Sequence, residues 1–135
     1  MFIAEHKIRV RYAETDQMGY VYYGNYAMYY EVGRVEALRE AGFSYRQMEE
    51  EGIMMPVVEN HSQYFKPGKY DELLTIRTMI KEMPGIRITF DYEVINEQEE
   101  LINKGQTILV FIKTGSHRPC RPPAYLLDLL KPYFT

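Results

Sequence analysis

Residues 25–42 read Asn25-Tyr-Ala-Met-Tyr-Tyr-Glu-Val-Gly-Arg-Val-Glu-Ala-Leu-Arg-Glu-Ala-Gly42, and this stretch predicts a long helix. Asn25 is the expected N-cap and Gly42 the expected stop. The first half is apolar nearly all round (Tyr26, Ala27, Met28, Tyr29, Tyr30, Val32), while charge collects later at Arg34, Glu36, Arg39 and Glu40. A helix end without a polar face must be wrapped by other elements. The flanking sequence says what wraps it.

Upstream, residues 6–12 alternate, with Ile8, Val10 and Tyr12 on one face and Lys7, Arg9 and Arg11 on the other, which predicts a strand. Downstream, residues 54–65, 73–83, 86–95 and 101–113 read as further strands. They are separated by the turn signals Lys66-Pro67-Gly68-Lys69, Pro84-Gly85 and the acidic run 96–100. The third alternates best, placing Ile86, Ile88, Phe90, Tyr92 and Val94 together. Ser44 should cap a short helix over 44–51, and another is expected near 123–130. The order of strand, long helix and then strands in a meander predicts a single α+β domain over 1–135. Residues 107–112 are apolar on both faces, so that strand should be covered on both sides, and a second subunit is the expected second cover.

Composition narrows the function classes. At 135 residues, 46% hydrophobic and 26% charged, the chain has the make-up of one soluble globular domain. It holds no apolar run near the ~20 residues that span a bilayer and no signal-peptide pattern at its start. With the single Cys120 excluding an intrachain disulfide, a cytoplasmic protein is expected. A net charge of −3 and a pI of 5.6 argue against nucleic-acid binding. His6, His61 and His117 are scattered without metal-ligand spacing, and no glycine-rich phosphate loop is present, so neither metal nor cofactor is expected. Thirteen tyrosines and no tryptophan stand out, with a cluster between Tyr20 and Tyr30 that suits a half-wet pocket or an interface.

The chemistry lies in residues 12–30, where Asp16 falls in a loop containing Gly19 and Gly24, just before the long helix. A helix start presents unpaired N–H groups, which stabilise a developing oxyanion, and a nearby carboxylate can attack a carbonyl or activate water. The arrangement is compatible with acyl transfer, but an Asp before a helix is also a common cap, and Glu14 is a rival carboxylate or a solvent-facing turn residue.

The run Tyr12-Ala-Glu-Thr-Asp16-Gln-Met-Gly19-Tyr-Val21-Tyr-Tyr23-Gly-Asn25-Tyr26 resembles the signature of hot-dog acyl-coenzyme A thioesterases of the 4-hydroxybenzoyl-coenzyme A thioesterase type. The resemblance continues through Tyr30-Glu31-x-x-Arg34-x-Glu36 and Tyr64-x-x-Pro67-x-x-Tyr70-Asp71-Glu72-Leu73. It implies a hot-dog fold, one long helix wrapped by a five-stranded antiparallel sheet, and hydrolysis of an acyl-coenzyme A to free acid and coenzyme A. Asp16 matches the catalytic carboxylate, and Tyr23 the position whose backbone N–H binds the thioester oxygen. Gly19, Val21, Gly24 and Tyr26 match the substrate-binding surround. It further implies a homo-oligomer, a dimer or a tetramer built as a dimer of dimers, with shared sites. For the coenzyme A phosphates Arg87 is the candidate, with Lys113, Arg118 and Arg121 behind it. The alternatives are a non-catalytic acyl-coenzyme A or acyl-carrier binding protein, and a hot-dog hydratase or dehydratase, although no His lies in residues 12–30.

Overall fold

A computed structural model describes residues 1–135. Its strands are β1 (Phe2–Arg9), β2 (Ile53–Met54), β3 (Val57–Tyr64), β4 (Leu73–Ile80), β5 (Arg87–Ile95), β6 (Leu101–Val110) and β7 (Ile112–Lys113). Its helices are α1 (Tyr26–Glu40), α2 (Tyr45–Glu50) and α3 (Ala124–Leu130). Five strands form one antiparallel sheet in the order β1-β4-β5-β6-β3, and β2 pairs with β7 in a small ribbon. No helix is long and apolar enough to cross a membrane.

This order corrects the expected four-strand meander. Only β4, β5 and β6 run as one; β3 joins the far edge beside β6, and β1 takes its place beside β4. Periodicity tells which face of a strand is buried, but it carries no information about the neighbour. Strand limits shift as well. The first strand starts at Phe2 and ends at Arg9, after which residues 12–14 form a 3-10 turn. The strand expected over 54–65 breaks before Val57 at Pro56, which has no N–H to donate to a ladder.

Alternation holds from Ile88 onward: Ile88, Phe90, Tyr92 and Val94 of β5 are buried on one face, joined by Leu74, Ile76 and Ile80 of β4, whereas Ile86, expected with them, precedes the strand and is exposed. Helix α1 lies across this face, packing on β1 and β4 and burying Tyr29, Tyr30, Ala37 and Leu38. Each large side chain buried this way stabilises by roughly 1.5–3 kcal/mol. The Tyr30 ring stacks on Tyr92 at 4.4 Å, over Gly105 of β6. A Cβ at position 105 would sit 2.2 Å from the Tyr30 ring, so this approach requires glycine. Around the helix end away from the site, Gly42 turns the chain, Ser44 caps α2 by accepting from the Gln47 N–H, and Phe43 stacks on Tyr125 of α3.

The expected all-round wrapping of α1 is not reached within one chain. Met28 and Val32 remain 40% exposed because the sheet covers only one side of the helix. β3, an edge strand that α1 reaches through Tyr26 and Tyr30, is exposed along nearly its whole length, including Val57 and Val58. On β6 and beyond, Thr107, Leu109 and Phe111 are buried, while Ile108, Val110 and Ile112 are half-buried on the other face.

Candidate active site

The segment between β1 and α1 is a tight hairpin fastened to the β3–β4 connection. Thr15 bridges Val21, Tyr20 bridges Lys69, the Val21 N–H donates to the Gly68 carbonyl at 2.8 Å, and the Tyr70 N–H donates to the Gly19 carbonyl at 3.0 Å. Asp16 opens the hairpin turn. Its Oδ1 accepts from the Met18 N–H at 2.9 Å and the Tyr20 N–H at 3.2 Å, and its own N–H donates to the Tyr20 carbonyl at 2.8 Å. Gly19 holds the turn with a φ of 77°, a left-handed conformation costly for any residue with a Cβ. The turn therefore engages Oδ1 and leaves Oδ2 without a donor.

Asp16 is half-buried and lines two hollows. One, of about 370 Å³, is formed by Asp16, Val21, Tyr23, Tyr26, Tyr64 and Phe65 among others. Its walls are aromatic, with Tyr26 packed edge-on against Tyr64 at 5.6 Å and Tyr64 against Tyr23 at 6.5 Å. The other is floored by Thr15, Gln17 and Gly19 and flanked by Tyr12 and Tyr70, whose rings meet edge-on at 5.7 Å.

The helix start differs from expectation. Asn25 is helical and makes no side-chain cap. A 3-10 turn over Tyr23–Asn25 leads into α1, with extended Tyr22 as the residue before it. Asn25 instead reaches back, its Nδ2 donating to the Glu14 carbonyl at 2.8 Å. The backbone N–H groups of Tyr23 and Gly24 donate to no acceptor in the chain, as befits the first residues of a helical turn. Tyr23 is exposed, Gly24 lies beside the Tyr22 ring in an ordinary helical conformation, and Val21 and Tyr26 are buried beneath them.

Glu14 is not the solvent-facing turn residue that sequence allowed. It is 5% exposed, and its carboxylate accepts from the Arg11 N–H at 2.9 Å, from Arg11 Nε and Nη2 at 3.1 and 2.9 Å, and from the Tyr29 hydroxyl at 3.0 Å. Burial pushes this carboxyl up, but the Arg11 backbone N–H, the Arg11 guanidinium and the Tyr29 hydroxyl outweigh burial and hold it below the usual carboxylate range. With its acceptors filled, Glu14 is not available as a base.

The structure thus gathers Asp16, Val21, Tyr23 and Tyr26 around one cleft, with Gly19 shaping the turn. It does not bring Arg87 there: Arg87 sits opposite Val110 and pairs with Glu59 at 3.6 Å, at the end of the sheet away from the Tyr64–Asn103 pair that borders the cleft. Lys113, Arg118 and Arg121 lie with the β2–β7 ribbon and the segment after it. Sequence reading missed Phe65 and Lys66 as cleft residues, and the only signal was their place beside the turn motif Lys66-Pro67-Gly68-Lys69.

The model of the thioesterase-like superfamily matches residues 10–130. Protein YneP of Bacillus subtilis (strain 168) is 37% identical over 119 residues, covering 88% of this chain and 86% of that protein. Acyl-CoA thioester hydrolase YbgC of Escherichia coli O6:H1 is 30% identical over 124 residues, covering 92% of each. Among solved structures, DHNA-CoA thioesterase from Staphylococcus aureus superimposes with a TM-score of 0.90 at 38% identity, covering 98% of this chain and 89% of that one. The family model and these relatives span most of the chain, so it belongs to the thioesterase-like superfamily and has its hot-dog fold.

Proposed function

We propose that this protein hydrolyses an acyl-coenzyme A thioester to a free acid and coenzyme A. The observation that carries the reading is the shared cleft: Asp16 and Tyr23 line it together, and the N–H groups at the helix start are unspent. The thioester carbonyl oxygen is taken up by the Tyr23 N–H, with the adjacent Gly24 N–H as a second donor. Charge developing on that oxygen is met by groups already oriented, which removes reorganisation from the barrier. Asp16 attacks the carbonyl carbon through Oδ2 or draws a proton from an attacking water, and Oδ1 keeps its two backbone donors throughout. The C–S bond breaks and the thiolate leaves, taking up a proton as coenzyme A. On the water route the free acid is then formed directly; on the attack route water hydrolyses the Asp16–acyl anhydride to free acid and returns the Asp16 carboxylate. The acyl group occupies the aromatic hollow of Tyr26, Tyr64 and Phe65.

The protein works as a dimer joined along β3. That strand is an edge exposed on both faces, paired to β6 on one side only, with Val57, Val58 and Tyr64 open and Phe65 open just beyond it. A two-fold axis through its middle exchanges the Val57 and Tyr64 ends. It thereby carries the partner's Arg87 toward this chain's cleft, where it serves the phosphates of coenzyme A. The same pairing covers the open flank of α1, and pairs of such dimers make the tetramer.

The test is thiol release from a panel of acyl-coenzyme A esters varied in length and aromaticity. Turnover of at least one ester is expected. Binding across the panel without thiol release, or enoyl formation in its place, would contradict the assignment.

A further inference from the structure

We propose that Glu14 is a positioning residue, fixing the Asp16 hairpin to the first turns of α1 so that carboxylate and oxyanion donors meet in one cleft. The proposal deepens the acyl-transfer reading and rests on it.

Glu14 works in two directions at once. Its backbone carbonyl accepts from the Tyr22 N–H at 2.9 Å and from Asn25 Nδ2 at 2.8 Å, which pins the residues on either side of Tyr23 and Gly24. Its carboxylate holds Tyr29, one turn into α1, at 3.0 Å and grips Arg11, two residues past the first strand. Asp16 follows two residues later, across the Thr15–Val21 bridge. Every hydrogen bond linking this hairpin stem to the helix start therefore runs through Glu14, while no bond joins Asp16 directly to α1. Glu14 touches neither cleft. If these bonds loosen, Asp16 and the Tyr23 N–H drift apart, and misplacement of about 1 Å can cost up to about a hundredfold in rate.

A double-mutant cycle of Glu14→Gln and Asp16→Asn on the full chain tests this, read as kcat and KM for the ester of the panel turned over fastest. Glu14→Gln is expected to lower kcat about tenfold or more, with KM within about twofold. In the Asp16→Asn background the same change should be nearly silent, because there is no longer a carboxylate to misplace. Asn25→Ala, which leaves the buried carboxylate cluster whole, should show the same pattern at smaller size and carries the test if Glu14→Gln does not fold. A loss equal in both backgrounds, one confined to KM, or no loss at all would overturn the proposal. Retention of the wild-type rate by Asp16→Asn would instead overturn the acyl-transfer reading beneath it.

Discussion

Glu14 and Asp16 lie two residues apart and stand in opposite environments: the first is buried among four donors, the second is half-buried with one oxygen free. Spacing could not separate them, because what decides their roles is the reach of Tyr29 from α1 and the fold-back of Arg11, both tertiary contacts. A depressed carboxyl pKa contributes stability that is present above its unfolded value and lost as pH falls through the folded one. Tyr29→Phe removes a donor to the charged form. It should cost about 1–2 kcal/mol at neutral pH, with the gap from wild type narrowing as Glu14 protonates. Denaturant titrations at a series of acidic pH values check this; a gap independent of pH would contradict it. The misread Asn25 has the same origin. A 3-10 turn ahead of the helix took over the start, and the Asn side chain was drawn to the Glu14 carbonyl.

At the scale of elements, β5 was legible nearly residue by residue, because strict alternation against a buried face leaves one reading. β3 was legible as a strand but not as an edge. Its partner β6 is distant in sequence, and its hydrophobic pattern is diluted by Glu59, His61 and Gln63. Nothing in the pattern of β6 singles out Gly105; the Tyr30 ring packed over it does. Gly105→Ala should destabilise by about 3 kcal/mol, since the ring must leave its stack on Tyr92 or the strand must shift. A denaturation midpoint unchanged from wild type would show that the close approach carries no constraint. Val58 sits at the irregular register between Val57 and Glu59 on the exposed edge. Val58→Asp should shift the protein toward monomer in sedimentation and reduce turnover, if the cleft is completed by a second copy. An unchanged sedimentation profile would point to another surface.

For the whole molecule, the fold class followed from the sequence, as did a loop carrying Asp16 ahead of the long helix, whereas the hairpin form of that loop, the strand order and the place of Arg87 did not. Arg87 lies at the end of the sheet away from the cleft, and alternation along a strand carries no record of which end the Asp16 hairpin borders. The tyrosine-rich core has a consequence at high pH. Burial pushes Tyr30 and Tyr45 up to about 12. The unfolded chain ionises its tyrosines near pH ~10, so stability should fall as pH rises from there toward the folded values. The part of the phenolate absorbance that belongs to the buried rings should therefore appear only with loss of structure, while ionisation of all thirteen tyrosines in a folded protein would contradict the burial of these rings.

The central claim is that Asp16 performs the chemistry on an acyl thioester. The most direct test is the kcat of Asp16→Asn against wild type on the same acyl-coenzyme A, with fold and melting temperature checked in parallel. Asn preserves the Oδ1 acceptor for Met18 and Tyr20 and removes the charge at Oδ2. A loss of at least about two orders of magnitude in a folded protein is the predicted result. A folded Asp16→Asn variant that still releases coenzyme A near the wild-type rate would contradict it.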